Sequence, residues 1–235
     1  MRVQIISRII WLIEYIFFYP QLKGQLKKLP IPKNPLVIFD VGANTGQSAK
    51  FFRKIFKDSK IYSFEPNPLI FKKLNASRSS NTFCFDFAIG NINAKSDFFV
   101  SKFSETSSLI TPNVNSSWFL LKQKILGLDI SENMYKLEVE VKTLDFIVKN
   151  LEINDIFLLK IDVEGSELEV LQGAKDLLSL RKIQYIQFEE LRNGLYLNNF
   201  FQIDKLLLAN DFNRLFTIRH SFGNFYEHVY SLKDL

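Results

Sequence analysis

The chain has 235 residues, 47% hydrophobic and 23% charged, enough to bury one sizeable core, and its composition excludes a disordered, collagen-like or disulfide-stapled chain. Its single cysteine, Cys84, permits no intrachain disulfide and favours a reducing compartment, the cytoplasm. The net charge of +5 is unevenly spread: residues 1–60 hold 11 Lys and Arg against 3 Asp and Glu, whereas residues 61–235 hold 19 against 22. That split disfavours a basic surface for nucleic acid, and no such partner is expected.

Residues 3–19, VQIISRIIWLIEYIFFY, are the most apolar stretch. Arg8 and Glu14 bound its charge-free run, far short of the roughly 20 residues that a bilayer span needs. No small-x-small cleavage site follows, and Tyr19-Pro20 is bulky. Lys23, Lys27, Lys28 and Lys33 come next, punctuated by Gly24, Pro30, Pro32 and Pro35. Two readings stand for residues 1–35. One is a helix packed on the domain behind it, with a Pro-rich linker. The other is an interfacial helix whose basic follower, within residues 3–33, is drawn to anionic headgroups at the inner face of a membrane.

From residue 36 the pattern alternates. LVIFDV (36–41) reads as a strand buried on both faces, QSAKFFRKIFKD as a helix, KIYSFE (60–65) as a strand and NPLIFKKLNAS (67–77) as a helix. TFCFDFAI (82–89) reads as a third strand. Residues 90–142 break the rhythm: SDFFVS and LEVEVK look like short strands around a Ser/Asn-rich piece, which fits either a lid or a solvated loop. Then come helix LDFIVKNL (144–151), strand IFLLKIDV (156–163) and helix GSELEVLQGAKDLLS (165–179). Strand IQYIQFEE (183–190), helix FFQIDKLLLAN (200–210) and two final strands, FNRLFTIR and FYEHVYSL, complete the chain. Such alternation predicts an α/β domain over residues 36–235, a mostly parallel sheet with helices on both faces.

Asp40-Val41-Gly42-Ala43-Asn44-Thr45-Gly46 joins the first strand to its helix, where small residues let a ligand approach the backbone. Glu65 ends the second strand, placed to accept hydrogen bonds from both ribose hydroxyls of a nucleoside. The turn lacks the close glycine pair that admits a pyrophosphate, and Asp40 would repel one. A sulfonium and an amino group suit it better, which points to S-adenosylmethionine over NAD. Asp86 and Phe87, or Ala88, end the third strand where an adenine would lie. Asp162 and Glu164, after the fourth strand, face the same crevice; they can hold the methionine amino group, position a hydroxyl or ligate a metal.

VIFDVGANTGQSAKFF, IYSFEPNP, SETSSL, VEVKTLDFIV and LLKIDVEGSELEVLQGA, in this order over residues 36–190, resemble the FkbM-type S-adenosylmethionine-dependent methyltransferases. The resemblance implies a Rossmann-like, class I, seven-stranded sheet whose final hairpin sets one strand antiparallel. It also implies methyl transfer, usually to a hydroxyl oxygen, in glycan or secondary-metabolite pathways; a lipid-linked acceptor is what the basic, apolar front end would add. Its motif positions fall on Asp40, Gly42, Asn44 and Gly46, on Glu65, and on Asp162, Glu164 and Gly165.

A hydroxyl acceptor needs a base within reach. His220, Asp162 and Glu189 are the candidates, each near a predicted strand end. Asp162, Glu164, Glu189 and Glu190 can offer oxygen ligands to Mg²⁺, yet strand-end acids are common in cofactor sites and no metal is expected; one Cys and two His argue against zinc. The competing classes are a weakly binding nucleotide scaffold recruited to a membrane, and an NAD-dependent oxidoreductase.

Overall fold

A computed structural model describes residues 2–33, 35–101, 107–126, 134–221 and 224–234. The elements follow the predicted alternation. Helix α1 (Arg2–Leu26) precedes β1 (Val37–Val41), α2 (Gln47–Arg53), β2 (Lys60–Phe64), α3 (Pro68–Ala76) and β3 (Thr82–Phe85). After a middle section come α5 (Leu144–Asn150), β8 (Ile156–Ile161), α6 (Glu167–Gln172), α7 (Lys175–Ser179) and β9 (Ile183–Leu191). Helix α8 (Phe200–Ala209) and the hairpin β10 (Phe212–Arg219) and β11 (Phe225–Leu232) end the chain.

Seven strands form one sheet in the order β10-β11-β9-β8-β1-β2-β3. All pairings are parallel except those of β11, which runs antiparallel to both β9 and β10. The expected antiparallel strand is therefore present, and the sheet has the Rossmann-like methyltransferase topology.

Side-chain alternation sends each strand's residues to two cores. Phe39, Val41, Leu159 and Ile161 pack beneath α5–α8 with Ile147, Leu171, Leu177 and Leu207. Ile38, Leu158, Phe157 and Tyr185 pack on the other side with Phe52 of α2 and with Phe18, Leu22 and Leu26 of α1. The second half of α1 thus lies in the core of that face. Its other side leaves Leu12, Tyr15, Ile16 and Phe17 exposed. Among the described residues no helix is long and apolar enough to cross a membrane.

Three details differ from the predicted elements. TFCFDFAI is two strands, not one: β3 stops at Phe85, and β4 (Ala88–Ile89) belongs to a second sheet. The bend falls at Asp86-Phe87, where one exposed acid interrupts the apolar run and no Gly or Pro marks a break. In the middle section the two predicted strands are present, SDFFVS within β5 (Ala94–Ser101) and LEVEVK within β7 (Met134–Lys142), but they join β4 and β6 (Ser107–Ser108) in a second sheet of order β4-β7-β5-β6, and the Ser/Asn-rich piece is followed by a helix, α4 (Ser117–Leu126). Residues 104–106, the first half of SETSSL, lie outside the described residues. GSELEVLQGAKDLLS is two helices: Asp145 of α5 accepts the Asp176 and Leu177 N–H groups at 3.0 Å each, capping a fresh start at α7.

Candidate active site

The turn leaving β1 is shaped by its backbone. Gly42 has φ +78°, and a Cβ there would lie 1.8 Å from the Asp162 carbonyl oxygen, so only glycine lets the two strand-end turns meet. Asn44 is also left-handed, with φ 48°, and aims its N–H at Glu65 Oε2, 3.0 Å away. Gly46, φ 87°, occupies the cap position of α2. Glu65 Oε1 accepts the Asn67 N–H at 2.9 Å, while the Asn67 side chain caps α3 by accepting from Leu69 and Ile70. The Glu65 carboxylate is therefore fixed by one donor on each oxygen. Burial pushes its pKa up to about 7, although both N–H groups favour the charged form.

Glu65 opens on a crevice of about 110 Å³. Gly42 and Asn44, Asp162 and Glu164, and apolar Phe64, Ala88, Ile89, Phe98 and Leu109 line the rest. Phe98 and Leu109 come from the middle section, which thus walls the crevice. It is tied down there: Ser108 Oγ donates to the Glu164 carbonyl at 2.7 Å. The second turn, like the first, runs left-handed, with φ 55° at Glu164 and 99° at Gly165. The Tyr196 ring lies on Gly165, where a Cβ would approach its Cγ to 2.6 Å. Beneath, buried Glu167 accepts the Gly165 N–H at 3.0 Å, and burial pushes its pKa up to about 8.

Not every predicted residue reaches the crevice. Asp40 is fully buried and does not line it. Alternation on β1 turns Asp40, like Ile38, toward α1, where Lys160 Nζ lies 3.4 Å from Oδ1 and 3.0 Å from Asp162 Oδ2. Burial alone would lower the Lys160 pKa; Asp162 and Asp40 outweigh it and hold the ammonium charged. Asp40 therefore lies beneath the crevice, linked to Asp162 through Lys160. Asp86 is exposed and Phe87 buried, packed on Phe64 and Phe85 under the Lys142 ammonium, and neither lines the crevice. Ala88 does, because the chain has by then turned into the second sheet.

Further along the same sheet edge the structure gathers residues from four places in the chain. Glu189 and Glu227 are cross-strand partners on β9 and β11. His220 follows β10, its Nε2 3.5 Å from one oxygen of each. Glu14 of α1 sits 3.5 Å from His220 Nδ1 and accepts the Ser221 N–H at 2.9 Å. Phe18 of α1 stacks on the imidazole, with centroids 3.9 Å apart. Burial opposes a charge on His220, but Glu14, Glu227 and Glu189 outweigh it and push its pKa up to about 10. Glu189 moves well above the ordinary carboxylate range, through burial and then the nearby Asp162 charge. Glu190 points to the opposite face, bonded to His228, Arg192 and Asn198, so it shares no site with Glu189.

Sequence reasoning missed Lys160, Glu14 and Glu227. A lysine inside LLKID was itself a signal, since a buried ammonium requires acidic partners. Glu14 and Glu227 carried none; only the fold brings the two ends of the chain together.

The profile of the Methyltransferase FkbM domain family matches residues 40–214, about three quarters of the chain. The chain belongs to this family. It is 26% identical over 168 residues to methyltransferase sdnD of Sordaria araneosa, covering 62% of each chain. It is 25% identical over 172 residues to the 2-O-methyltransferase NoeI of Sinorhizobium fredii, covering 67% of this chain and 66% of that one. The chain thus spans just under two thirds of the length of these relatives. Its fold is similar to that of methyltransferase FkbM from Methylobacillus flagellatus KT, with TM-score 0.57 and 14% identity over 87% of this chain and 45% of that one. S-adenosylmethionine is the cofactor of this FkbM-type chain. The crevice fits it: Glu65, with one N–H on each oxygen, keeps lone pairs for ribose hydroxyls, Asp162 and Glu164 offer negative charge to the methionine end, and apolar residues line the remainder.

Proposed function

We propose that this FkbM-family chain is an S-adenosylmethionine-dependent O-methyltransferase acting on a hydroxyl of a small acceptor, a sugar or glycan being the leading class. The observation that carries the reading is Glu65, fixed by Asn44 and Asn67 at the mouth of a crevice that also holds Asp162 and Glu164. The bound cofactor supplies an electrophilic methyl group. The chain's own residues orient and deprotonate. Glu65 and Asn44 hold the nucleoside end, and Glu164 the amino-acid end. Asp162 takes the acceptor proton, since of the three candidate bases it alone lines the crevice, with a carboxylate 41% exposed. The acidic end of the sheet, with Glu189 and Glu227, suits a polyhydroxyl acceptor better than an anionic one. The name of the relative NoeI, a 2-O-methyltransferase, supports oxygen as the methylated atom. Incubation with isotope-labelled methyl donor and a panel of sugars, glycolipids and phenols tests this. O-methyl products by mass spectrometry are expected; methylation solely of nitrogen or carbon would overturn it.

The exposed side of α1 favours a place of work at a membrane surface. Tyr15, Tyr19, Pro20 and Phe51 line a groove of about 420 Å³ between α1 and α2, rimmed by Lys23, Lys50 and Lys54 with no carboxylate in its lining. Apolar floor and cationic rim suit an anionic bilayer, where a lipid-linked acceptor would be met. Flotation with anionic liposomes should fall when Leu12, Ile16 and Phe17 are all changed to Ser; equal flotation would remove this part.

A further inference from the structure

We infer that Glu189, His220 and Glu227 form a binding site for a divalent cation, Mn²⁺ being the best match, at the acceptor end of the sheet. The inference deepens the O-methyltransferase reading by naming what would hold the acceptor oxygen there.

The first argument is donor geometry. One ligand atom from each of the three residues lies within 4.8 Å of the others. His220 Nε2 is buried, makes no hydrogen bond and stands 3.5 Å from both Glu189 Oε1 and Glu227 Oε2. A charge-assisted hydrogen bond would have closed these distances to about 2.8 Å. Ligands of one cation behave differently. With bonds near 2.1 Å, neighbouring donor atoms sit about 3.0–3.4 Å apart. The two His220–carboxylate separations, 3.5 Å each, are already near that spacing.

The second argument is support behind each ligand. Metal-bound imidazoles commonly give their other nitrogen to a carboxylate, which fixes ring and tautomer. His220 Nδ1 faces a carboxylate, Glu14, 3.5 Å away; Glu14 Oε2 is buried without a hydrogen bond, and its Oε1 is anchored by the Ser221 N–H. Phe18 stacks on the ring and keeps it in one plane. Glu227 Oε1 is held by the amide of Gln187, a residue 3% exposed whose own Oε1 has no hydrogen-bond partner. Four chain segments thus converge on one spot.

The third argument is charge and placement. Three carboxyl groups, Glu14, Glu189 and Glu227, face one imidazole, a set of donors that a divalent ion would bind in place of the protons they otherwise share. Mixed imidazole and carboxylate donors suit manganese better than calcium or a thiophilic metal. Ligands drawn from one sheet edge would leave further coordination positions of the ion to an oxygen of the acceptor. A cation there would bind an acceptor hydroxyl oxygen, make it more acidic and leave its proton to Asp162. The O–CH₃ bond then forms as the S–CH₃ bond breaks, and the cation keeps its charge.

The test is metal binding by the full chain after chelator treatment, with no cofactor or acceptor present. Loss of the free Mn²⁺ electron paramagnetic resonance signal on titration should show one ion per chain in the micromolar range. Glu227→Gln and Glu189→Gln should each weaken it at least tenfold, and Glu14→Gln and Gln187→Leu about 10–100-fold. Thermal unfolding of every variant separates a lost site from a lost fold. No stoichiometric Mn²⁺ binding below about 1 mM, or binding unmoved by Glu227→Gln in a folded protein, would overturn the inference. Calorimetry with S-adenosylhomocysteine on the chelated protein tests the methyltransferase reading on its own, so either can fail without the other.

Discussion

Asp40 and Lys160 are register partners on β1 and β8, and their charges meet 3.4 Å apart beneath the cofactor crevice. Among the described residues Lys160 is the cation that compensates this fully buried carboxylate, whose pKa burial raises and Lys160 lowers. Lys160→Met should destabilise the fold by about 3–5 kcal/mol, since it strands that charge. The double variant Asp40→Leu with Lys160→Met should recover most of the loss, because a buried pair is replaced by apolar volume. Urea unfolding of wild type, single and double variants measures it; equal losses in both variants would refute the pairing as the cause.

Asp162 is bound by Lys160 on one side and open to the crevice on the other. Asp162→Asn should lower kcat at saturating cofactor by about 10²–10⁴-fold, the usual worth of a positioned base. Glu164→Gln should raise the KM for cofactor more than it lowers kcat. Steady-state kinetics on any accepted hydroxyl substrate separates the two; the reverse pattern would exchange their roles.

Glu65 makes cofactor affinity depend on pH. Its pKa rises from 4.5 in a solvated chain to about 7 in the fold. For a raised carboxylate the stabilising contribution is present below the unfolded value and is lost as pH rises through about 7. Ribose hydroxyls need the ionised form, so affinity for S-adenosylhomocysteine should increase from pH 5.5 to 7.5 and then level off. Below pH 7, binding should release close to one proton. Calorimetry in two buffers of different ionisation enthalpy counts it, and Glu65→Gln should bind more weakly and with no such release.

Neighbouring residues on α1 should behave in opposite ways. Phe17 is 58% exposed, and Phe17→Ser should change stability by no more than about 0.5 kcal/mol. Phe18 is 5% exposed and covers His220, so Phe18→Ala should cost about 3–5 kcal/mol. Deleting residues 1–30 uncovers Ile38, Leu158 and Tyr185 and should abolish cooperative unfolding. Calorimetric melting of the three proteins checks the order.

Much of the fold was legible because each element carries its own period. The alternation of continuous apolar strands with helices near residues 47, 68, 144 and 200 needed no tertiary information. Glu65 was legible too, since a strand end after a small-residue turn leaves little choice of where it points. The bend at 86–87 was not, because a single Asp86 in an otherwise apolar TFCFDFAI is no breaker and the second sheet takes over without a Gly or Pro. Asp40 was placed in the right neighbourhood, but it lies beneath the crevice and does not line it. Its true partner lies 120 residues away in sequence, on a strand that becomes its neighbour only once the sheet order is known. The cluster around His220 was the least legible part, being made of single residues from α1, β9, β11 and the end of β10.

The bond from the Ser221 N–H to Glu14 joins residues 207 positions apart. At ribosomal rates of about 5–20 residues per second, ~10–40 s separate the synthesis of these two partners. Throughout that interval the first helix has emerged with its aromatic face and lacks the hairpin that will seat it. The contact between them closes only once the hairpin has been made. A chaperone or bilayer that shelters it during translation would therefore govern yield, and slowing the ribosome would lengthen the period of risk.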